Sequence, residues 1–447
     1  MEIGSRPLKT EFFRFVIPSI LSQWVYALYN MVDGMFVARG VGELALTAVN
    51  LSNPFLQFMF ATSLLFAVGT STVAAIFMGD NQRRRASQVF SQNAAAQLAL
   101  GVAIIALVLP NLDILATFLG AKDPEIHAYV KEYLRWVAPF APAFLLSYAF
   151  EVLLKTDGFP KKTVFIVTLG AVENCVLDWL FVFVFHTGVG GAAFATGLSQ
   201  LTVTLLYLHH FLRKKGTIHF VRFRFSLALV GREAANGFSA ALTELSTGLT
   251  TLLFNRVILL FLPREALVSY AILSYLNTLV VFSVTGIVQG GQPLVSYYHG
   301  RGDRPLCRTL LKYSLVTAAA FCAGAAALCV IFAPQITAIY VGAALPELRA
   351  SSAAVIRIFS VSMAPLGINV AISGYLAAIE SAAPAVAISA GRGLVLLAAS
   401  LGLLTWRFGG AGIWWAPLLS ESVTLCLGLG LCFQLRGRMF PPAGPQA

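Results

Sequence analysis

Apolar residues run along the chain in blocks too long for the helices of a soluble protein, separated by short polar joints rich in Gly, Pro, Lys and Arg. A helix rises about 1.5 Å per residue, so about 20 residues cross roughly 30 Å of hydrocarbon. Blocks of that length predict helices near 12–38, 44–78, 86–110, 126–153, 163–186 and 190–212. Six more are predicted near 233–262, 266–298, 309–333, 349–378, 384–406 and 411–435. The 44–78 block exceeds one crossing and contains Pro54, which predicts tilt, a kink or an end that emerges from the apolar slab. Twelve spans, an even number, put both ends of the chain on the same side of the membrane.

Composition agrees with this pattern. Hydrophobic residues make up 58% of the 447 positions and charged ones 11%, against about 25% charged in a soluble domain. A cytosolic enzyme, a nucleic-acid-binding domain and a disordered chain are excluded, because none could be solvated by so little charge. The net charge of +11 is gathered into joints and gives no continuous basic face for DNA. With the termini inside, cytoplasmic joints hold about 21 Lys and Arg, including Arg6, Arg83–Arg85, Lys161, Lys162, Arg213–Lys215, Arg436 and Arg438, against about 8 outside. This predicts a multi-pass protein of the inner (plasma) membrane with both termini cytoplasmic. The six Cys show no CxxC spacing and read as buried free thiols.

The chain also repeats itself. Gly79 is echoed by Gly300, Pro142 by Pro365, Pro160 by Pro384, and GAAFATGLSQ from Gly191 by GIWWAPLLSE from Gly412, all at an offset near 222. The reading is a first lobe over 1–212, a basic cytoplasmic linker over 213–232 and a second lobe over 233–447. Six spans in each lobe give both the same direction, so a pseudo-two-fold axis along the membrane normal is expected, as in transporters that rock two bundles.

Ionisable and amide groups inside spans are costly to keep in hydrocarbon and are functional candidates for that reason. In WVYALYNMVDGMFV, Tyr26, Tyr29, Asn30 and Asp33 share one helical face; Asn174 and Asp178 share a face of the fifth span at i, i+4. Two carboxylates and an amide facing each other offer hard oxygen ligands for a small cation such as Na+. They equally offer a pair that holds one proton, or groups that only staple helices by hydrogen bonds. Glu244 is the candidate cavity acid of the second lobe. Glu151 is expected to pair with Lys155 at i+4, Arg392 with Glu421, and Glu173 points away from Asn174. His209 and His210 adjoin the linker and read as interfacial. No HExxH, Walker A loop or GxSxG is present, so the chain does not read as an enzyme, and active transport would draw on an ion gradient.

YNMVDGMFVARGVGELALTAVNLSNP, KTDGFPKK, ENCVLDWLFVFVFHTGVGGAAFATGLSQ and GGQPLVSYYHGRGD resemble the multidrug and toxic compound extrusion (MATE) family, and more narrowly its bacterial multidrug-efflux branch. The resemblance implies an all-α membrane fold of twelve helices in two lobes around a central cavity. It also implies export of organic, often cationic, compounds in exchange for sodium or protons. Asp33 matches the family's acid in the first helix, Asn174 and Asp178 the polar pair of the fifth, and Thr196 a sixth-helix hydroxyl that completes a cation site in some relatives. Where some relatives carry an acid in the middle of the tenth helix, this chain has GINVAISGYLAAIE, with only Glu380 at its end. The expected function is therefore a Na+- or H+-coupled antiporter for hydrophobic cations, with Tyr26, Tyr29, Asn30 and Glu244 at the substrate cavity. Its expected partners are small organic cations and the lipid bilayer, with no resident cofactor, no nucleic acid and no obligatory protein partner. The alternative is a flippase for lipid-linked precursors from the same superfamily, whose pyrophosphate cargo would call for several cavity Arg or Lys; only Arg256 and Arg392 lie clearly within spans.

Overall fold

The computed structural model describes residues 7–342 and 345–435, which form helices joined by short turns, with no strand among the described residues. Arg6, Arg436 and Arg438, part of the charge argument, lie outside the described residues. The chain is an all-α multi-pass membrane protein, and every sequence-derived span has its helix. They are α1 (Leu8–Gly40), α2 (Glu43–Gly79), α3 (Arg83–Phe118), α4 (Pro124–Thr156), α5 (Pro160–Val184) and α6 (Gly188–Leu212). The second set is α7 (Leu227–Phe261), α8 (Ala266–Gly300), α9 (Arg304–Ile331), α10 (Pro346–Ala378), α11 (382–408) and α12 (Gly412–Gln434). A short helix, Ala333–Tyr340, precedes α10. The apolar stretch Ala382–Gln434 is divided by a 3-10 turn at Gly409–Ala411, where Gly409 takes φ 59°; a residue with a Cβ resists that conformation. α2 runs as one helix of 37 residues through Pro54.

Two compact units result, residues 1–237 and 238–447. In the first, α1 packs on α5, α2 on α3 and α4, and α6 on α4 and α5. In the second, α8, α9 and α10 pack mutually, and α12 packs on α10 and α11. Helices in lipid gain little from burying apolar surface against one another, so small residues and interhelical hydrogen bonds must hold them. The same device appears in both units: Ser63 Oγ donates to Leu145 O across α2 and α4 (2.7 Å), and Ser296 Oγ to Ala378 O across α8 and α10 (2.9 Å). Leu28, Phe118, Trp406 and Phe433 are exposed, as large apolar residues of a membrane protein can be where lipid rather than water solvates them. The free thiols are buried at Cys307, Cys322 and Cys329 only; Cys426 is exposed and Cys175 and Cys432 are half-buried, because helix faces turned to lipid accept a thiol as readily as the interior does.

The segment after α6 is a strap laid along the first unit rather than a free linker. Its irregular backbone must find partners outside itself, and polar side chains of α3 supply them. Val221 N–H donates to Ser91 Oγ (3.0 Å), and Ser226 exchanges two 3.0 Å bonds with the Gln92 amide. Thr217 and Ile218 N–H donate to Asp157 Oδ1 at 2.7 and 3.0 Å. Residues 227–232, read from sequence as linker, are already helical and open α7. His210 is buried, with Nε2 3.6 Å from Asp157 Oδ2 and Nδ1 2.9 Å from Lys162 Nζ, so only His209 is exposed as expected.

Close approach of α3 to α4 requires Gly101, where a Cβ would lie 2.5 Å from Pro142 Cα. Replacing Gly101 with Ala should therefore destabilise the purified protein by about 1–3 kcal/mol. Gly402→Ala, placed in open space, should be close to neutral; detergent-state thermal unfolding of the two variants checks the difference.

Candidate functional site

The polar face of α1 and that of α5 meet inside the first unit, because α1 packs along α5 and α5 along α6. Asp33 and Asp178 come within hydrogen-bonding reach of each other. Two ionised carboxylates cannot share such a contact; it requires a proton or a cation between them. Asn174, one turn before Asp178, places its amide nitrogen 2.9 Å from Asp178 Oδ2 and accepts at its oxygen from Thr196 N–H at 3.3 Å, an orientation assigned from the bonding network. Asp178 and Asn174 are fully buried, and Thr196 nearly so. Asp178 Oδ1 has no donor among the described residues. Asp178 also sits where α5 widens into a π-helical turn, Trp179–Val184, an irregularity that recurs at functional sites. The four residues singled out as coupling candidates are thus brought together.

Tyr29 joins this cluster to a cavity. Its hydroxyl lies near Thr196, and its side chain lines a small, partly open cavity with Tyr26, Gly170, Ser199, Gln200 and Val203. Tyr26 has a further partner that the sequence did not disclose: its hydroxyl donates to Glu151 Oε2 at 2.9 Å. Glu151 in turn accepts from Lys155 Nζ at Oε1, 2.7 Å, as the i+4 spacing anticipated. Asn30 is exposed, its amide donating to Tyr26 O at 2.8 Å, and it does not line the cavity. Glu244 is half-buried on α7 and belongs to the wall of neither this cavity nor the one in the second unit. Glu173 accepts from Thr202 at 2.8 Å within its own unit. Tyr133, buried on α4 and close to both acids, went unnoticed in the sequence. It lies on an amphipathic helix whose pattern separates inside from outside but carries no information about which inner residue meets Asp33.

Donor inventory decides what such a site can hold. Carboxylate, amide and hydroxyl oxygens are hard ligands suited to Na+, and the same paired carboxylates can hold a proton. Thiolate or imidazole is absent from it, and no cluster of three His, Cys, Asp or Glu suited to a transition metal occurs among the described residues.

Comparisons with known proteins agree with the sequence motifs. The MatE family model matches twice, at residues 18–180 and 239–401, two stretches set apart by the repeat offset. The multidrug export protein MepA of Staphylococcus haemolyticus (strain JCSC1435) is 23% identical over 427 residues, 95% of this chain and 93% of the relative. Its counterpart in Staphylococcus aureus (strain NCTC 8325 / PS 47) is 23% identical over 446 residues, 97% and 95% of the two chains. A crystal structure of MATE in complex with MaL6 superposes with a TM-score of 0.91 at 21% identity, covering 97% of each chain. An outward-facing multidrug resistance MATE family transporter of the MOP superfamily gives 0.90 at 22%, again over 97% of each.

The buried Glu151–Lys155 pair gives the site a rigid wall and a sharp test. Lys155→Met leaves Glu151 buried with only the Tyr26 hydroxyl as partner and no positive charge beside it, and should cost about 3–5 kcal/mol of stability. Adding Glu151→Gln should recover most of that loss, as read from unfolding midpoints of the single and double variants.

Proposed function

The chain belongs to the MatE family of membrane transporters, and from that premise and the geometry of the first unit we propose that it exports hydrophobic, cationic drugs and toxic compounds in exchange for Na+ or H+. The observation that carries this reading is the Asp33–Asp178 contact, flanked by Asn174 and Thr196 and joined through Tyr29 to a cavity. The bacterial relatives named multidrug export proteins support the cargo class, and the scarcity of basic side chains in the spans favours cations over pyrophosphate-bearing lipids.

Substrate and coupling ion are both positive, and both are served by the same two carboxylates. A hydrophobic cation in the cavity is held by apolar contact with Tyr26 and Val203 and by the negative charge of the acids one turn away. Na+ or a proton taken up between Asp33 and Asp178 removes that charge, so the cation loses its electrostatic hold and leaves. The converse exchange resets the acids. An ion drives such a cycle only through its differential affinity for the two access states, which makes the pair of acids the coupling element. Access alternates by a rocker-switch motion, with the protein in the plasma membrane and both termini cytoplasmic, the orientation that the Lys and Arg clusters favour.

Asp33→Asn and Asp178→Asn should each abolish gradient-driven ethidium efflux from cells while leaving the protein inserted in the membrane. Imposed Na+ and H+ gradients applied separately identify the ion. Wild-type efflux in both variants would remove the basis for this assignment.

A further inference from the structure

The duplication gives each unit a cavity at the same register. The repeated runs end in Ser199–Gln200 and Ser420–Glu421, and each pair lines the cavity of its own unit. Each cavity also adjoins a helix widened by a π-helical turn, Trp179–Val184 in α5 and Gly391–Val395 in α11. The two walls have diverged in chemistry. That of the second unit lines a partly open cavity of about 100 Å³ and contains an ion pair: Arg392 Nη2 and Nε lie 3.1 and 3.2 Å from Glu421 Oε1, and Asn369 Nδ2 donates to Glu421 Oε2 at 2.7 Å. Glu421 is therefore fully engaged and has no free charge for a cationic ligand.

What remains available on this wall falls into two sets. Thr247, Thr250, Thr251 and Thr278 each donate their hydroxyl proton to a backbone carbonyl, at 3.2, 3.0, 3.1 and 2.8 Å. Their unspent function is to accept, so they suit N–H donors. Arg392 has a guanidinium nitrogen, Nη1, without a partner among the described residues, and Ser420 Oγ, fully buried, also lacks one. Those two are free to donate. The Phe254 ring, stacked on Tyr270 at 4.9 Å, lines the same cavity and adds an aromatic element to its wall.

We propose that the second unit holds a second ligand site, for an aromatic compound carrying both N–H donors and a carboxylate. The carboxylate is taken by Arg392 and Ser420 and the N–H groups by the threonine hydroxyls. This goes beyond the coupling site of the first unit and does not depend on it.

Rhodamine 110, which has two amino groups and a free carboxylate, and rhodamine 123, its methyl ester, differ at the one group that matters. Their binding to the purified protein in lipid nanodiscs is read by fluorescence anisotropy. In R392Q/E421Q, which replaces the ion pair with neutral amides, affinity for rhodamine 110 should fall about tenfold, the value of one charge-assisted contact, and that for rhodamine 123 should hold. E421Q alone frees the whole guanidinium and should tighten rhodamine 110, a test that stands even where the double variant fails to fold. Undetectable rhodamine 110 binding to the wild type, an equal loss of both dyes in the double variant, or weaker rhodamine 110 binding to E421Q would overturn the proposal. Efflux by Asp33→Asn bears only on the first unit, so failure there leaves this result separately readable.

Discussion

A polar group in hydrocarbon has no water to fall back on, and this constraint shapes the molecule at every level. It makes the backbone helical throughout the spans. It turns serine hydroxyls into interhelical bonds at Ser63 and Ser296. It sets the terms on which charge survives within the spans: Lys155 holds Glu151, Arg392 holds Glu421, and Asp33 and Asp178 hold each other. The first two arrangements are complete within the protein. The third is not, because two carboxylates in contact need a positive partner that the chain does not supply.

That incompleteness is what the proposed coupling role rests on. A satisfied ion pair gives an arriving cation nothing to gain, whereas the acids of α1 and α5 gain from any small cation or proton that reaches them. Tyr29 lies near Thr196 and also forms part of the cavity wall. In the exchange proposed above, occupancy of the cavity and of the acid pair would be linked through shared electrostatics, with no long pathway needed.

Duplication let the two units diverge while keeping their helix packing. The register position that is Gln200 in the first unit is Glu421 in the second. Gln200 Oε1 accepts from Ser147 at 2.8 Å, while Glu421 is neutralised by a residue of the π-helical turn. The first unit keeps an acid pair without a basic side-chain partner near its cavity. The second keeps a wall of hydroxyls beside a guanidinium with donors to spare, and so favours a different ligand chemistry.

The sequence by itself determined the number and place of the spans, the duplication, and the acids that hydrocarbon would not tolerate without cause. These follow from length, hydropathy and helical period, which are local properties. The i+4 pair Glu151–Lys155 was legible for the same reason, and Arg392–Glu421 was legible because two opposite charges in one apolar unit have few other partners. Thr196 was recognisable only through the family motifs. Tertiary structure alone decided that Tyr26 donates to Glu151, that Tyr133 lies close to the acids, that Asn30 and Glu244 are outside the walls of the two cavities described, and that the segment after α6 is strapped to α3. Each of these depends on how helices rotate and cross. Helix rotation is fixed by close contacts such as Gly101 against Pro142, between residues far apart in the chain, and no period within a single helix encodes it.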